Sequence, residues 1–190
     1  MVKIGFIVEG FSEKIFFDSP KFRKYLSDLN IDYISEIINA DGNGNLLPHN
    51  IEEFTKILIN KGATKIFIIT DLDSDQCVTK TKDRIKPNEI HQCVISKKAI
   101  ESWFLADTET IRKYYKTINF ECLNPEDLEN PFKEIDTQKK IFLNRGIGSS
   151  KIKLTNSLVN LGLSFENILK HPNCESAKYF HTKLIQHSNN

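Results

Sequence analysis

The fold of this chain is decided by one stretch of sequence, KIFIITDLD at residues 65–73. Its centre is a continuous apolar run, and continuous rather than alternating apolarity indicates a strand that is covered on both faces, as in a parallel sheet. The run ends in two carboxylates, Asp71 and Asp73. A second stretch, KIGFIVEG at residues 3–10, has the same form and ends at Glu9. The two stretches predict parallel strands with acidic side chains at their ends.

Working outward from these strands, the chain alternates between strand and helix patterns. Further strands are predicted at 31–38 and 91–96. Helical spacing is found around 12–29, with a break at Pro20, and around 51–62. Strands that alternate with helices of this length predict an α/β domain with a mostly parallel four-stranded sheet flanked by helices.

The pattern changes in the second half of the chain. One helix is predicted from Ala99 past Asp107 to Tyr115. After residue 117 no strand is apparent, and helices are expected near 134–144, 150–163 and 175–187. We therefore expect an α/β domain over 1–116 and a helical C-terminal subdomain or extension over 117–190.

Composition narrows the class of protein. With 190 residues, 39% hydrophobic and 13 phenylalanines, the chain is expected to fold as one compact domain rather than to be disordered. It has no apolar run that could span a bilayer and no secretion signal, so we expect a cytoplasmic protein without a membrane partner. Its four cysteines lack CxxC spacing, which favours free thiols over a zinc site.

Charge is distributed unevenly along the chain. Residues 1–130 hold 17 lysines and arginines against 21 acids, whereas residues 131–190 hold nine against four. An acidic front and a basic back suit a metal site beside a groove for a polyanion. A bias of this size is also common on ordinary solvated surfaces, and both interpretations stay open.

Three groups of acids follow predicted strands: Glu9, the pair Asp71 and Asp73, and Glu101. The carboxyl ends of parallel strands open on one edge of a sheet, where ligands bind. If the chain stays extended, Asp71 and Asp73 also point to the same side. Converging carboxylates repel each other, and a hard divalent cation removes that penalty. The acids therefore predict a Mg²⁺ site, with Mn²⁺ as an alternative ion.

Other interpretations of the DxD pattern remain. Aspartate caps helices and forms turns, so the pattern is also a common loop composition. Haloacid-dehalogenase-like phosphatases use a DxD aspartate as nucleophile, which would give that role to Asp71. Those enzymes usually carry the motif on the first strand, whereas here the first strand carries Glu9.

Two motifs together resemble the TOPRIM domain, which topoisomerases, bacterial primases and OLD-family nucleases share. They are GFIVEGFSEK at residues 5–14 and IITDLDSD at residues 68–75. A third stretch, AIESWFLAD at residues 99–107, is similar to a segment of small stand-alone TOPRIM-like proteins of phage-defence loci. The resemblance implies a four-stranded, mainly parallel core sheet.

The resemblance also implies roles for individual residues. Glu9 would serve as general acid/base or metal ligand. Asp71 and Asp73 would bind Mg²⁺, Asp75 would be the third acid found in some members, and Glu101 would be an additional acidic ligand. The chain has no ATPase domain and no zinc ribbon, which leaves a nuclease, or the nuclease subunit of a partnered defence system, as the leading hypothesis.

The hypothesis is a Mg²⁺-dependent nuclease that hydrolyses phosphodiester bonds of DNA or RNA, with an ATPase as a possible partner protein. Lys151, or Lys153 in its place, would neutralise charge in the transition state. Lys80, Lys82 and Arg84 would steer the nucleic-acid backbone, and Lys153 is assigned with them to nucleic-acid binding. All five cations could equally be solvated surface groups. The alternatives are a phosphatase and a TOPRIM-like module that is non-catalytic or activated by a partner.

Overall fold

Four parallel strands form the centre of the protein in a computed structural model, which describes residues 2–73 and 75–188. They lie in the order β2-β1-β3-β4, and every neighbouring pair is parallel. The predicted α/β class and the four-stranded parallel sheet are thereby confirmed. The strands are β1 (Lys3–Val8), β2 (Asp32–Asn39), β3 (Lys65–Asp71) and β4 (His91–Ser96).

Helices occupy most of the remaining chain. Pro20 is the first residue of a helix, where its missing N–H costs no hydrogen bond, so the predicted break there is confirmed. Within the described residues the helices are α1 (Phe11–Phe17), α2 (Pro20–Asp28), α3 (Pro48–Asn60), α4 (Val78–Ile85), α5 (Glu101–Ala106), α6 (Thr108–Tyr115), α7 (Pro131–Leu143), α8 (Lys151–Leu161), α9 (Phe165–Lys170) and α10 (Glu175–Ser188).

The sheet is buried on both faces. On one face, α3 packs through Leu58 against strand residues such as Ile66 and Ile68. Gly5 makes this packing possible, because a Cβ at that position would lie 2.9 Å from a Leu58 methyl carbon. The other face carries a larger core that is rich in aromatic rings. Burial on both faces explains why the central strands β1 and β3 are continuously apolar.

The helices that follow residue 117 contribute to this larger core. The ring of Phe180 on α10 lies 5.7 Å from that of Phe67 on β3. The ring of Phe165 on α9 lies 6.4 Å from that of Phe16 on α1. Residues on both sides of position 116 therefore fill one hydrophobic cluster on the same face of the sheet.

The prediction of a single helix from Ala99 to Tyr115 is wrong. The chain forms two helices, α5 and α6, which meet at the buried residue Asp107. Its carboxylate accepts hydrogen bonds from the backbone N–H of Thr110 and from that of Ser164, at 3.0 Å each. The first bond caps the start of α6, and the second ties α6 to the chain before α9. The helical spacing of the sequence runs through residue 107, but Asp107 caps a new helix there and so divides the predicted helix in two.

Two further predictions concern the whole chain. The four cysteines are free, as expected. Among the helices of the described residues, none is both long and apolar enough to cross a bilayer.

Candidate active site

Glu9 and Asp71 lie side by side at the carboxyl edge of the sheet. The register of β1 and β3 continues beyond Val8, because the N–H of Glu9 donates to the Ile69 carbonyl at 3.0 Å. The Glu9 carboxylate then accepts hydrogen bonds from the Asp71 N–H, at 3.1 Å, and from the Thr70 hydroxyl. Two acids that are far apart in sequence are therefore brought together by parallel pairing, as expected.

Asp71 is the last residue of β3 and is buried. Its carboxylate accepts a hydrogen bond from the hydroxyl of Ser96, the residue paired with it on β4. Burial raises the pKa of Asp71 well above its usual value, and the neighbouring charges of Glu13 and Glu9 raise it further. Burial also raises the pKa of Glu9. The strand ends therefore hold acids whose ionised forms are costly without a compensating cation.

Glu13 is an acid of this cluster that the sequence analysis did not assign to the site. It lies in the first turn of α1 and is buried. Burial raises its pKa to about 7, with repulsion from Glu101 and Glu9 adding to the effect. Gly10 leaves room for the carboxylate, since a Cβ there would lie 3.0 Å from Glu13 Oε2. The available signal was the spacing of four residues between Glu9 and Glu13, across a tight strand-to-helix connection.

Glu101 completes the cluster from the start of α5. Its side chain is fully buried, and its Oε1 atom has no hydrogen-bond partner among the described residues. Its Oε2 atom accepts a hydrogen bond from the Lys151 ammonium at 3.1 Å. A buried carboxylate oxygen without a donor is costly, so this atom is suited to receive a cation or a donor from outside the chain.

Lys151 is the cation nearest to the acids. Burial alone would lower the pKa of Lys151, but attraction to Glu101 and Asp71 outweighs it and raises that pKa. The ammonium group therefore stays charged at neutral pH. Its position comes from the preceding loop, in which the Ile147 N–H donates to Asp136 and the Ser150 hydroxyl caps α8.

Asp73 faces a cleft of about 650 Å³ that also contains Glu101 and Lys151. The expectation of an extended chain from Asp71 to Asp73 is wrong, because β3 ends at Asp71 and Asp73 has a left-handed backbone with φ of 47°. The exposed carboxylate nevertheless points at the cleft, where it accepts a hydrogen bond from Asn43 at 3.0 Å. Its charge also adds to the repulsion felt by Glu9.

Asp75 has other partners. Its carboxylate accepts a hydrogen bond from the Thr81 hydroxyl at 2.8 Å and pairs with Arg84 at 3.4 Å. Arg84 also donates to the Asn43 carbonyl at 2.8 Å. Asp75 thus holds α4 and Arg84 beside the loop that contains Asn43, and the structure does not bring it among the four clustered acids.

The other predicted cations are dispersed. Lys80 is exposed on α4, whereas Lys82 lines a separate small apolar cleft. Lys153 lies two residues after Lys151 and therefore on a different side of α8, where it is exposed. The basic residue found at the acid cleft besides Lys151 is Lys98, which the sequence analysis did not select.

The acids of the cluster are Glu9, Glu13, Asp71 and Glu101, and we refer to them with Lys151 as the acid cluster. Among residues 2–73 and 75–188, no group of three or more histidine, cysteine, aspartate or glutamate side chains is arranged as a metal site. Several of the carboxylate oxygens are instead engaged by internal donors. The chemistry of the set still fits Mg²⁺, because its donors are carboxylate oxygens. The pKa values of Glu9, Glu13 and Asp71 are raised, and the Oε1 of Glu101 has no hydrogen-bond partner among the described residues.

The resemblance to the TOPRIM domain stays a prediction from the motif residues quoted above. The Mg²⁺ requirement, the nucleic-acid substrate, the ATPase partner and the role in phage defence stay predictions. Comparison of the chain with protein-family models, with curated proteins and with solved structures finds no match.

Proposed function

We propose that this chain is a divalent-metal-dependent phosphodiesterase that cleaves nucleic acid at the acid cluster. The observation that supports this most strongly is Glu101. Its carboxylate is fully buried beside three further acids, and one of its oxygens has no hydrogen-bond partner among the described residues. Structural carboxylates are normally satisfied by donors of their own chain, as Asp107 is. An unsatisfied acid at the carboxyl edge of a parallel sheet is typical of a functional site.

Glu9, Asp71 and Glu101 would hold the ion once its charge draws their carboxylates together, because no three acids of the described residues are arranged as a metal site in its absence. Asp73 faces the adjoining cleft. A bound divalent ion supplies Lewis-acid polarisation of the phosphate and lowers the pKa of an attacking water. The cluster offers carboxylates for this purpose without a histidine or cysteine, which favours a hard ion such as Mg²⁺ or Mn²⁺ over zinc.

Two residues of the chain have protonation states that suit phosphodiester hydrolysis. Glu13, with a pKa of about 7, can take up or release a proton near neutral pH. Lys151 keeps its charge and lies beside the acids, where it can stabilise negative charge that develops on the phosphate. Together they provide a proton carrier and an electrostatic stabiliser within the acid cluster.

A nucleic-acid substrate is supported by the shape and charge of this edge. The cleft is open and contains Lys98 and Lys151 beside the acids. The part of the chain with the basic excess, residues 131–190, contributes Lys151 to the site from the start of α8. A phosphodiester backbone would bring its own negative charge to the metal and to these lysines.

The test is cleavage of plasmid DNA, single-stranded DNA and RNA by the purified chain with Mg²⁺, with Mn²⁺ and with EDTA. We expect metal-dependent cleavage that falls about 100-fold or more in Asp71→Asn. Asp83→Asn, a change of an exposed acid on α4, is the matched control and should leave the rate unchanged. Cleavage at the wild-type rate in Asp71→Asn would end the proposal. An aspartyl phosphate trapped on Asp71 would assign a phosphatase instead.

A further inference from the structure

A second cleft of the described structure lies away from the acid cluster. Its volume is about 1050 Å³, and it is formed by α6, the loop after it and the region around the end of α9. Ala106, the last residue of α5, lines this cleft, whereas Glu101, the first residue of α5, belongs to the acid cluster. The two sites are therefore separated by about 7.5 Å along a helix that rises about 1.5 Å per residue.

This second cleft is basic. It contains Arg112, Lys113, Lys116 and Lys170 against Glu109 and Glu121. Lys113 is paired with Glu109 at 2.6 Å, so its charge is already neutralised. Lys116 has no acidic partner among the described residues, and its side chain is exposed. The cleft therefore carries an excess of positive charge that is not balanced within the described chain.

Arg112 is held in place rather than free to move. Its Nε donates to the Phe120 carbonyl at 2.8 Å, which ties α6 to the following loop. The terminal nitrogens of this guanidinium have no acceptor among residues 2–73 and 75–188. A guanidinium with a fixed direction and free donors is suited to bind a carboxylate through two hydrogen bonds.

The same cleft contains the two most exposed large apolar side chains of the described residues. Ile118 is 82% exposed and Leu123 is 66% exposed, and both lie on the loop after α6. Single exposed apolar side chains are ordinary, but two aliphatic groups in one concave surface are characteristic of an interaction site. A ligand that covered them would gain hydrophobic stabilisation at the place where it meets the cations.

We propose that this cleft binds a peptide segment of another protein that combines acidic and apolar side chains. The carboxylates of the segment would pair with Arg112 and Lys116, and its apolar side chains would cover Ile118 and Leu123. Charge complementarity selects an acidic partner, and the aliphatic groups select a protein. A nucleic acid would be met more favourably by phenylalanine, tyrosine or tryptophan, and none of the described residues that line this cleft is one of these.

The experiment is a selection of short random peptides, displayed on phage, against the full chain. We expect enriched sequences that contain aspartate or glutamate together with leucine, isoleucine or phenylalanine. A synthetic peptide of the most enriched sequence should then bind the wild-type chain, and its affinity should fall about tenfold or more in Lys116→Glu and, separately, in Ile118→Ser. Both residues are exposed, so these changes are expected to leave the fold intact.

The matched controls are Lys56→Glu and Ile59→Ser, which make the same two changes on exposed positions of α3. They should bind the peptide as the wild-type chain does. Enrichment of neutral or basic sequences, or binding that depends on Lys116 but not on Ile118, would overturn the proposal. Single-stranded DNA that binds with the same dependence on both residues would make the cleft a nucleic-acid contact. Self-association lost in both variants would make the occupant a second copy of the chain.

Discussion

At the scale of single residues, Glu13 shows how burial links protonation to stability. Its pKa is raised from 4.5 to about 7 on folding, so the folded chain binds this proton more tightly than the unfolded chain does. The resulting stabilisation is fully present below about pH 4.5 and is lost as the pH rises through about 7. Asp71, whose pKa is also raised, acts in the same direction.

We therefore expect Glu13→Gln to stabilise the metal-free protein above neutral pH. At about pH 8 the free energy of unfolding should rise by on the order of 1–3 kcal/mol, while near pH 4.5 the change should be small. Urea unfolding in EDTA at both pH values measures this. Glu52→Gln, at an exposed position of α3, is the control and should show no such pH dependence. An equal change in the free energy of unfolding at both pH values would mean that folding does not raise the pKa of the Glu13 carboxylate.

A second prediction separates Asp71 from Asp75 as metal ligands. Asp71→Asn should weaken Mg²⁺ binding at least about tenfold, because its carboxylate lies among the clustered acids. Asp75→Asn should change the affinity by less than about threefold, since that carboxylate is engaged by Thr81 and Arg84 and its ion pair is worth little by itself. Titration calorimetry with Mg²⁺ measures both. Equal losses would place Asp75 in the ligand set.

Sequence reasoning found the site residues that follow strands and named Glu101 and Lys151, but it missed Glu13 and could not specify the contacts that depend on helix packing. Glu9 and Asp71 follow strands, and all parallel strands end at one edge, so their meeting was predictable. Glu13 reaches the same edge only because α1 begins directly after the strand end. The contact of Lys151 with Glu101 depends on where α8 packs against α1 and α6, which spacing in the sequence does not specify.

At the scale of elements, Asp107 is the joint between α5, α6 and the chain before α9. Asp107→Ala should lower the free energy of unfolding by about 2–4 kcal/mol, because it removes a helix cap and leaves the buried N–H of Ser164 unsatisfied. Chemical denaturation measures the loss. Glu109→Ala, at the position two residues after Asp107, breaks an exposed ion pair with Lys113 and should cost no more than about 0.5 kcal/mol. Similar losses in the two variants would contradict the role given to Asp107.

The errors of the sequence prediction at this scale have one cause. The helical pattern of residues 99–115 and the extended pattern of residues 71–73 were both read from spacing. In each case a short polar side chain changed the backbone direction: Asp107 caps a new helix, and Asp73 adopts a left-handed turn. Aspartate is tolerated in both conformations because its carboxylate can bond to nearby backbone groups. The four strands, by contrast, lie at the predicted places in the sequence.

At the scale of the whole molecule, acids from the first part of the chain and a lysine from the second part meet in the acid cluster. The acidic front of the chain supplies Glu9, Glu13, Asp71 and Glu101, and the basic back supplies Lys151. Lys151 offsets part of the repulsion between the acids in the metal-free protein. A single ammonium cannot balance four acids, so acids with raised pKa values such as Asp71 and Glu13 hold protons in the metal-free protein, and a bound divalent ion would favour their ionised forms.

This imbalance predicts that Mg²⁺ stabilises the folded protein by mass action. At a concentration about 100 times its dissociation constant, the ion should add about 2.7 kcal/mol to the free energy of unfolding, because the unfolded chain does not assemble the cluster. Thermal unfolding with EDTA, with Mg²⁺ and with NaCl of matched ionic strength measures the effect. The Glu101→Gln variant should lose most of the gain from Mg²⁺, whereas Glu53→Gln on the exposed side of α3 should keep it. Equal stabilisation by NaCl would reduce the effect to general screening of repulsion and would leave the cluster without a bound ion.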